Sequence, residues 1–332
     1  MDKYYFYLEY INNIIPITNI KPINVKDIEL TKIIGGRFIS ENIQDEILNK
    51  NIYKYYEYSY EYSYKYIKKH IKGKIIVGIN NKINNKINNN LKLNLILKKL
   101  EIVSKILIFL ALLSNKKENL LGYIFLSNHK KISNGHIFNP ENINSGYTTI
   151  SMLDRYIVVY REEEFIKVLI HEAIHYFELD IYFRQFGVLQ DYLPFKFKKD
   201  DIITEAFTDF YAINYYIIFI CLYFNKKEHS DFIKIYQKQF DFIKSQAIKI
   251  IQLSNVNKTN IIHNNTNVFS YFVLKYILFE IYLKYKTNFL KLDKKNFKII
   301  INTMIEFIMN IPNNSLKSDK ISLTMTYTFN DL

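Results

Sequence analysis

The sequence predicts an α+β chain, with a mixed N-terminal region and a mainly helical C-terminal part. Three observations carry this. Residues Tyr147–Tyr160, "YTTISMLDRYIVVY", are β-branched and aromatic and read as one or two strands. Residues Glu162–Leu179 then place Phe165, Val168, Leu169, Ile170 and Phe177 along an apolar helical stripe. After a loop holding Gly187 and Pro194, a second long apolar stretch runs from Asp201 to Phe224, and helical patterning continues to Asn310.

The 332 residues suit one large domain or two moderate ones. Turn formers concentrate at 127–146, "SNHKKISNGHIFNPENINSG", which predicts a boundary near residue 135. The expected division is a mixed α/β region over 1–135 and a second unit, with a helical C-terminal subdomain, over 136–332. Residues 1–75 alternate short apolar runs with turns such as Gly35–Gly36. The tyrosine-rich patch Tyr53–Tyr66 suits either a strand or a helix face. Residues 77–95 are low-complexity Asn, Lys and Ile, expected as an exposed loop before a helix at Leu93–Leu113. Glu162, Glu163 and Glu164 are expected in the first turn of the next helix, where the dipole favours negative charge. An Asn-rich loop is expected at Asn255–Asn267, and the alternating tail "ISLTMTYTF" predicts a last strand.

The net charge is +13, yet only Arg37, Arg155, Arg161 and Arg184 among the 45 basic residues are arginine. The favoured Ile, Asn, Lys and Tyr share A/T-rich codons, a bias found in large DNA viruses and intracellular parasites. Lysines spread over a solvated surface follow from that bias. A nucleic-acid or anionic-membrane partner is the weaker reading, because base readout leans on arginine. The single cysteine, Cys221, excludes a disulfide framework within the chain and a thiolate-rich zinc site, and reads as a buried small hydrophobe. The stretch "MDKYYFYLEYINN" lacks a basic region followed by a clean apolar run, so no signal peptide and a reducing, cytoplasmic compartment are expected. The apolar runs Ile102–Leu113 and Phe210–Phe224 fall short of the ~20 residues that cross a bilayer and read as buried helices.

The chemistry concentrates in Leu169–Asp180, "LIHEAIHYFELD". His171 and His175 lie four apart on a helix, so both rings face one way and can reach one ion. Zinc takes imidazole nitrogens, and three protein ligands leave a position open for water. Glu172, beside the first histidine, can take that water's proton and pass it to a leaving amine. A histidine six positions after His175 would extend the pattern, but Ile181 stands there, so the chain does not resemble a metzincin. Glu178 lies on the same short helix, where a third ligand would be cramped. The better third ligand is Glu205 in "ITEAFTDFYA". Asp209, one turn on, can accept the spare ring N–H of His171 and fix its tautomer. Asp180 is the rival for such an orienting role. His70, His129, His136 and His229 read as surface histidines.

The set His171-Glu172-Ala173-Ile174-His175 with Glu205 and Asp209 downstream resembles the gluzincin branch of the zincin metallopeptidases. The resemblance implies a Zn2+ cofactor held by His171, His175 and Glu205, with Glu172 as general base and then acid. It implies a zincin-like fold for 136–332: a small mixed sheet on two metal-binding helices, with a cleft between two lobes. It implies an edge strand that pairs with an extended peptide substrate, and Asn142–Ile150, with Asn144, Ser145, Gly146 and Tyr147, is the best match. It also implies a later Tyr or His that donates to the oxyanion, for which His263 and Tyr271 are the candidates. The alternative, from another class, is a basic structural or nucleic-acid-associated protein carrying a non-catalytic zinc motif.

Overall fold

The structure, a computed structural model, describes residues 2–24, 28–34, 39–49, 53–64, 69–80, 86–114, 119–133, 138–149, 155–254, 261–262, 264–312 and 321–327. Helix α1 (Asp2–Asn12) precedes the edge strand β1 (Ile17–Ile23), and the short helices α2 (Leu30–Ile34) and α3 (Glu41–Leu48) follow. Strands β2 (Tyr53–Tyr64) and β3 (Lys69–Asn80) then form a long antiparallel pair. Alternation explains the tyrosine patch. Tyr58 and Tyr60 enter one apolar cluster, while Tyr53 and Tyr55 enter a second on the opposite face. Side chains two apart share a face, so over Tyr53–Tyr64 the patch is a strand with buried tyrosines on each of its two faces.

Helix α4 (Lys86–Leu113) crosses over to β4 (Leu120–Leu126), which lies parallel to β3. After β5 (Ile132–Ser133) and α5 (Pro140–Ile143), strands β6 (Gly146–Thr148) and β7 (Ile157–Val159) complete a six-stranded mixed sheet of order β1-β2-β3-β4-β7-β6. One face buries Ile75, Val77, Ile124, Ile157 and Val159 with α4 and the C-terminal helices. The other face buries Ile76, Phe125 and Val158 with α2 and α3.

The C-terminal part is helical: α6 (Phe165–Tyr176), α7 (Ile203–Tyr223), α8 (His229–Ser254), α9 (Lys275–Tyr285) and α10 (Lys294–Asn310). A π turn at Ser270–Leu274 leads into α9. By length and composition α7 could cross a membrane, but 78% of its most apolar window is buried among the other elements. Its apolar side chains therefore already have partners inside the fold. Two-residue strands β8 (Lys196–Phe197), β9 (Ile261–Ile262) and β10 (Ile321–Ser322) pair as β8 with β9 and β10 with β5.

The chain is thus mixed α+β, as its sequence predicts, with five differences in detail. The expected loop at 77–95 holds the end of β3, where Val77 and Ile79 are buried, and the polar first turns of α4. Low complexity there hides a strand end and a helix start. The glutamates at 162–164 precede α6. Glu164 takes a left-handed φ of 60° as its N-cap and is drawn to Lys131 Nζ at 2.8 Å and the Met325 amide at 2.7 Å. Ion pairing thus replaces the expected dipole role. The loop at 255–267 includes β9, and among the described residues the tail contributes the short β10. The sheet also runs through the expected boundary near residue 135, because β4 before it pairs with β7 after it. The turn Gly35–Gly36 and His136 lie outside the described residues.

Aromatic rings pack closely around α7. Phe207 is fully buried and stacks on Phe183 with centroids 4.2 Å apart, beside Phe186, Phe289 and Phe297. Phe207→Ala should destabilise the fold by ~3–5 kcal/mol, read by urea denaturation, because these rings cannot close the cavity. A loss below ~1 kcal/mol would mean that they relax into it.

Candidate metal centre

Helix α6 lies against β6 and β7 on one side and α7 on the other, and both helices turn chemistry-bearing residues toward their crossing. Four-residue spacing brings His171 and His175 onto one face, and the same spacing brings Glu205 and Asp209 onto the facing side of α7. His171 Nε2 lies 3.2 Å from His175 Nε2 and 3.2 Å from Glu205 Oε2. His175 Nε2 lies 3.4 Å from the same oxygen. Three donor atoms therefore converge on one point, and this group could hold a metal ion.

Each ring is fixed from behind. His171 Nδ1 donates to Asp209 Oδ1 at 3.0 Å, and His175 Nδ1 donates to Asp180 Oδ2 at 2.7 Å. Both carboxylates are buried. Asp209 and its expected rival Asp180 thus share the task, one per histidine. The end of α6 explains Asp180. Glu178 takes a left-handed φ of 55°; its amide bonds the His175 carbonyl, and the Leu179 amide bonds the Ile174 carbonyl. This Schellman reversal turns the chain back, so Asp180 comes under His175. Arg155 supports the turn by donating to the Tyr176 carbonyl and pairing with Glu178 at 3.4 Å. Glu178 therefore faces Arg155 and not the histidines.

Glu172 is buried beside the group, and the Thr148 hydroxyl donates to it, with Oε2 at 2.8 Å and the backbone carbonyl at 2.9 Å. Burial pushes the Glu172 carboxyl above its usual range, against the pull of His171, His175 and this hydrogen bond. Burial opposes charge on His171, but its bonds to Asp209 and Glu205 outweigh it and raise the pKa. His175 is raised further, because Glu205 and Asp180 overcome the same burial penalty. Glu205 is held well below the ordinary carboxylate value despite its burial, mainly by His175 and His171.

Strand β6 is the sheet's edge next to Glu172, where an edge strand was expected. The Ser145 carbonyl accepts from Tyr160 and the Thr149 amide donates to Tyr156, both toward the sheet. By the strand's period of two, Gly146 and Thr148 turn their backbone groups to the open side. Tyr147 points away and donates its hydroxyl to the Ile33 carbonyl, while Asn144 Oδ1 accepts from Thr266 at 3.1 Å. Of the expected edge-strand residues, Gly146 and Tyr147 lie in β6 and Asn144 and Ser145 lead into it.

A cleft of about 680 Å³ opens between β6 and the segments around Ile202 and Asn267, with His171, Glu172, His175, Glu205 and Tyr271 along it. The half-buried ring of Tyr271 sits 6.0 Å from that of His171. Burial, and then Glu205, Glu172 and Asp209, raise the Tyr271 hydroxyl well above its usual pKa, so it stays a proton donor. Tyr271 lies in the π turn, a break common at functional sites. Asp201 anchors that turn to the start of α7 by accepting the Phe269 and Ser270 amides at 2.8 and 2.9 Å. Burial pushes Asp201 up to about 7. His263, the other oxyanion candidate, lies outside the described residues.

The other described histidines stand apart. His70 faces Glu61 at 3.2 Å, His129 faces Glu46 at 3.0 Å, and His229 packs on Tyr5. Cys221 is buried, and burial pushes its thiol up to about 12.

The roles of Lys167, Lys275, Thr148, Asp201 and Arg155 emerge only in the structure. Lys167 and Lys275 are buried, and both ammonium groups bind Asp209. Their signal is a lysine interrupting an apolar helical run, "FIKVLI" and "VLKYIL".

No protein-family model, curated protein or solved structure matches this chain.

Gly146 sets the distance between β6 and α6. A Cβ there would meet Val168 Cγ1 at 2.7 Å and the Val158 carbonyl oxygen at 2.8 Å, and a carbonyl in the sheet cannot give way. Gly146→Ala should cost ~1–3 kcal/mol, measured by chemical denaturation. A neutral effect would mean that β6 shifts freely along α6.

Proposed function

We propose that this chain is a zinc-dependent metallopeptidase of gluzincin type that hydrolyses peptide bonds. The observation that carries the reading is the triangle of donor atoms, with sides of 3.2, 3.2 and 3.4 Å. Zinc binds such ligands at about 2.0–2.1 Å in a tetrahedron, whose edges are then about 3.3–3.4 Å. His171, His175 and Glu205 would hold the ion. The carboxylates behind both rings add support, because metal-binding histidines need the other ring nitrogen engaged.

Zinc bound there would polarise a substrate carbonyl and make water acidic near neutral pH. The remaining work belongs to the chain. An extended peptide pairs with the outward backbone groups of Gly146 and Thr148, adding a strand to the sheet. Glu172 takes the proton of the attacking water and returns it to the leaving amine. The Thr148 hydroxyl holds the Glu172 carboxylate in place, so the strand that aligns the substrate also aligns the base. Tyr271 donates its hydroxyl proton as a hydrogen bond to the developing oxyanion. A second reading rests on the net charge of +13: a nucleic-acid-associated protein with a non-catalytic zinc motif. Its mark would be zinc-independent binding that weakens steeply with salt.

Purified protein should hold about one zinc per chain, and Glu205→Ala should lose it while Glu178→Ala keeps it. Glu172→Gln should keep the metal and lose peptide hydrolysis by ~100-fold or more, followed with a fluorogenic peptide library. Wild-type turnover by a zinc-loaded Glu172→Gln protein would overturn the assigned role.

Asp209→Asn and Asp180→Asn should each weaken zinc binding by ~10–100-fold, measured by competition with a chelator, since each removes the charged partner of one histidine. An unchanged affinity in Asp180→Asn would leave the His175 contact without a metal-binding role.

A further inference from the structure

We propose that Lys167 and Lys275 are positioning residues that clamp the Asp209 carboxylate and, through it, the His171 ring. Lys167 lies one helical turn before His171 on α6, so both side chains reach α7 from one face. Lys167 Nζ and His171 Nδ1 share Asp209 Oδ1, while Lys275 Nζ binds Oδ2 at 2.7 Å. The lysine side chains are 2% and 1% exposed and the carboxylate is fully buried. Among the described residues, Asp209 is the only carboxylate within ion-pair distance of either lysine. The remaining side of Lys167 meets Met325 Sδ at 3.3 Å.

Neutralising one carboxylate takes one lysine. A second buried ammonium adds an unbalanced charge, which is costly away from water. What the second lysine adds is geometry. A carboxylate held at one oxygen can still turn about its last torsion. Held at both, from α6 and from α9, it presents Oδ1 to His171 in one orientation. The His171 ring is then fixed, and its Nε2 stays aimed at the point shared with His175 and Glu205.

The clamp stands on contacts within the protein, and it rests on the zinc reading only for one arm of its test. The first arm needs no metal. In metal-free protein with ¹⁵N-labelled histidine at pH 7, the His171 Nδ1 proton should give one slowly exchanging resonance. Lys275→Met should broaden or abolish it, as Asp209→Asn does, and the double variant should be no worse. Lys275→Gln keeps a donor and should restore the resonance in part. The second arm is zinc affinity. Lys275→Met should lower it ~10-fold or more, and should cost nothing further in the Asp209→Asn background. If Lys275→Met does not fold, Lys167→Met carries the same comparisons at Oδ1. An unchanged ring proton, or additive losses in the double variant, overturns the clamp. Wild-type protein that binds no zinc overturns the function proposed above, and the ring-proton arm still decides the clamp.

Discussion

A carboxylate with no exposed surface, Asp209, is the constraint on which the helical part of this protein is arranged. A buried charge must be paired, and removing a partner from such a pair costs ~3–5 kcal/mol. Here the partners come from two other helices: Lys167 and His171 on α6, and Lys275 on α9. The apolar faces of α6, α7 and α9 could pack in several registers. Only a register that meets all three donors avoids an unpaired charge in the core. Lys167, Lys275 and His171 hold Asp209 well below its usual pKa against its burial, and burial brings Lys275 down to about 8. Once α6 and α7 are locked in this register, His171, His175 and Glu205 converge without further adjustment.

The sheet supplies the other half of the arrangement. Its last two strands are only three residues long, yet they place Thr148 against Glu172. That closeness depends on a residue without a side chain at 146, since β6 touches α6 through Val168 and Glu172. The opposite end of α6 is governed by its reversal at Glu178, which turns a sequence neighbour, Asp180, into a tertiary partner of His175. Strand, helix and reversal are each ordinary; their common result is a row of polar groups along one open cleft.

Much of this site was legible in the sequence because helical spacing encodes it. His171 with His175, and Glu205 with Asp209, are four apart, a spacing that a period of 3.6 places on one helix face. The β-branched and aromatic run from Tyr147 made a strand legible, while its place at the sheet's edge came from the resemblance and not from the residues. Other features were not, for physical reasons. Alternate tyrosines over 56–66 fit a strand, but the decision comes from the burial of Tyr53 and Tyr55 on one face and Tyr58 and Tyr60 on the other. Asn and Lys over 77–95 looked like a loop because the polar start of α4 has no apolar stripe of its own. Glu163 and Glu164 fit a helix start by local electrostatics, and the distant Lys131 drew them elsewhere. The buried lysines could not be placed, because a lysine in an apolar run is stable only with a partner that folding supplies.

The proposed chemistry requires that His171, His175 and Glu205 bind one ion together. X-ray absorption at the zinc K-edge of protein loaded with one equivalent of zinc tests this most directly. The expected spectrum shows two imidazole nitrogens and oxygen scatterers at about 2.0–2.1 Å, with one imidazole signal lost in His175→Ala. A shell of oxygen alone, or a spectrum unchanged by His175→Ala, would place the zinc elsewhere and contradict the proposed chemistry.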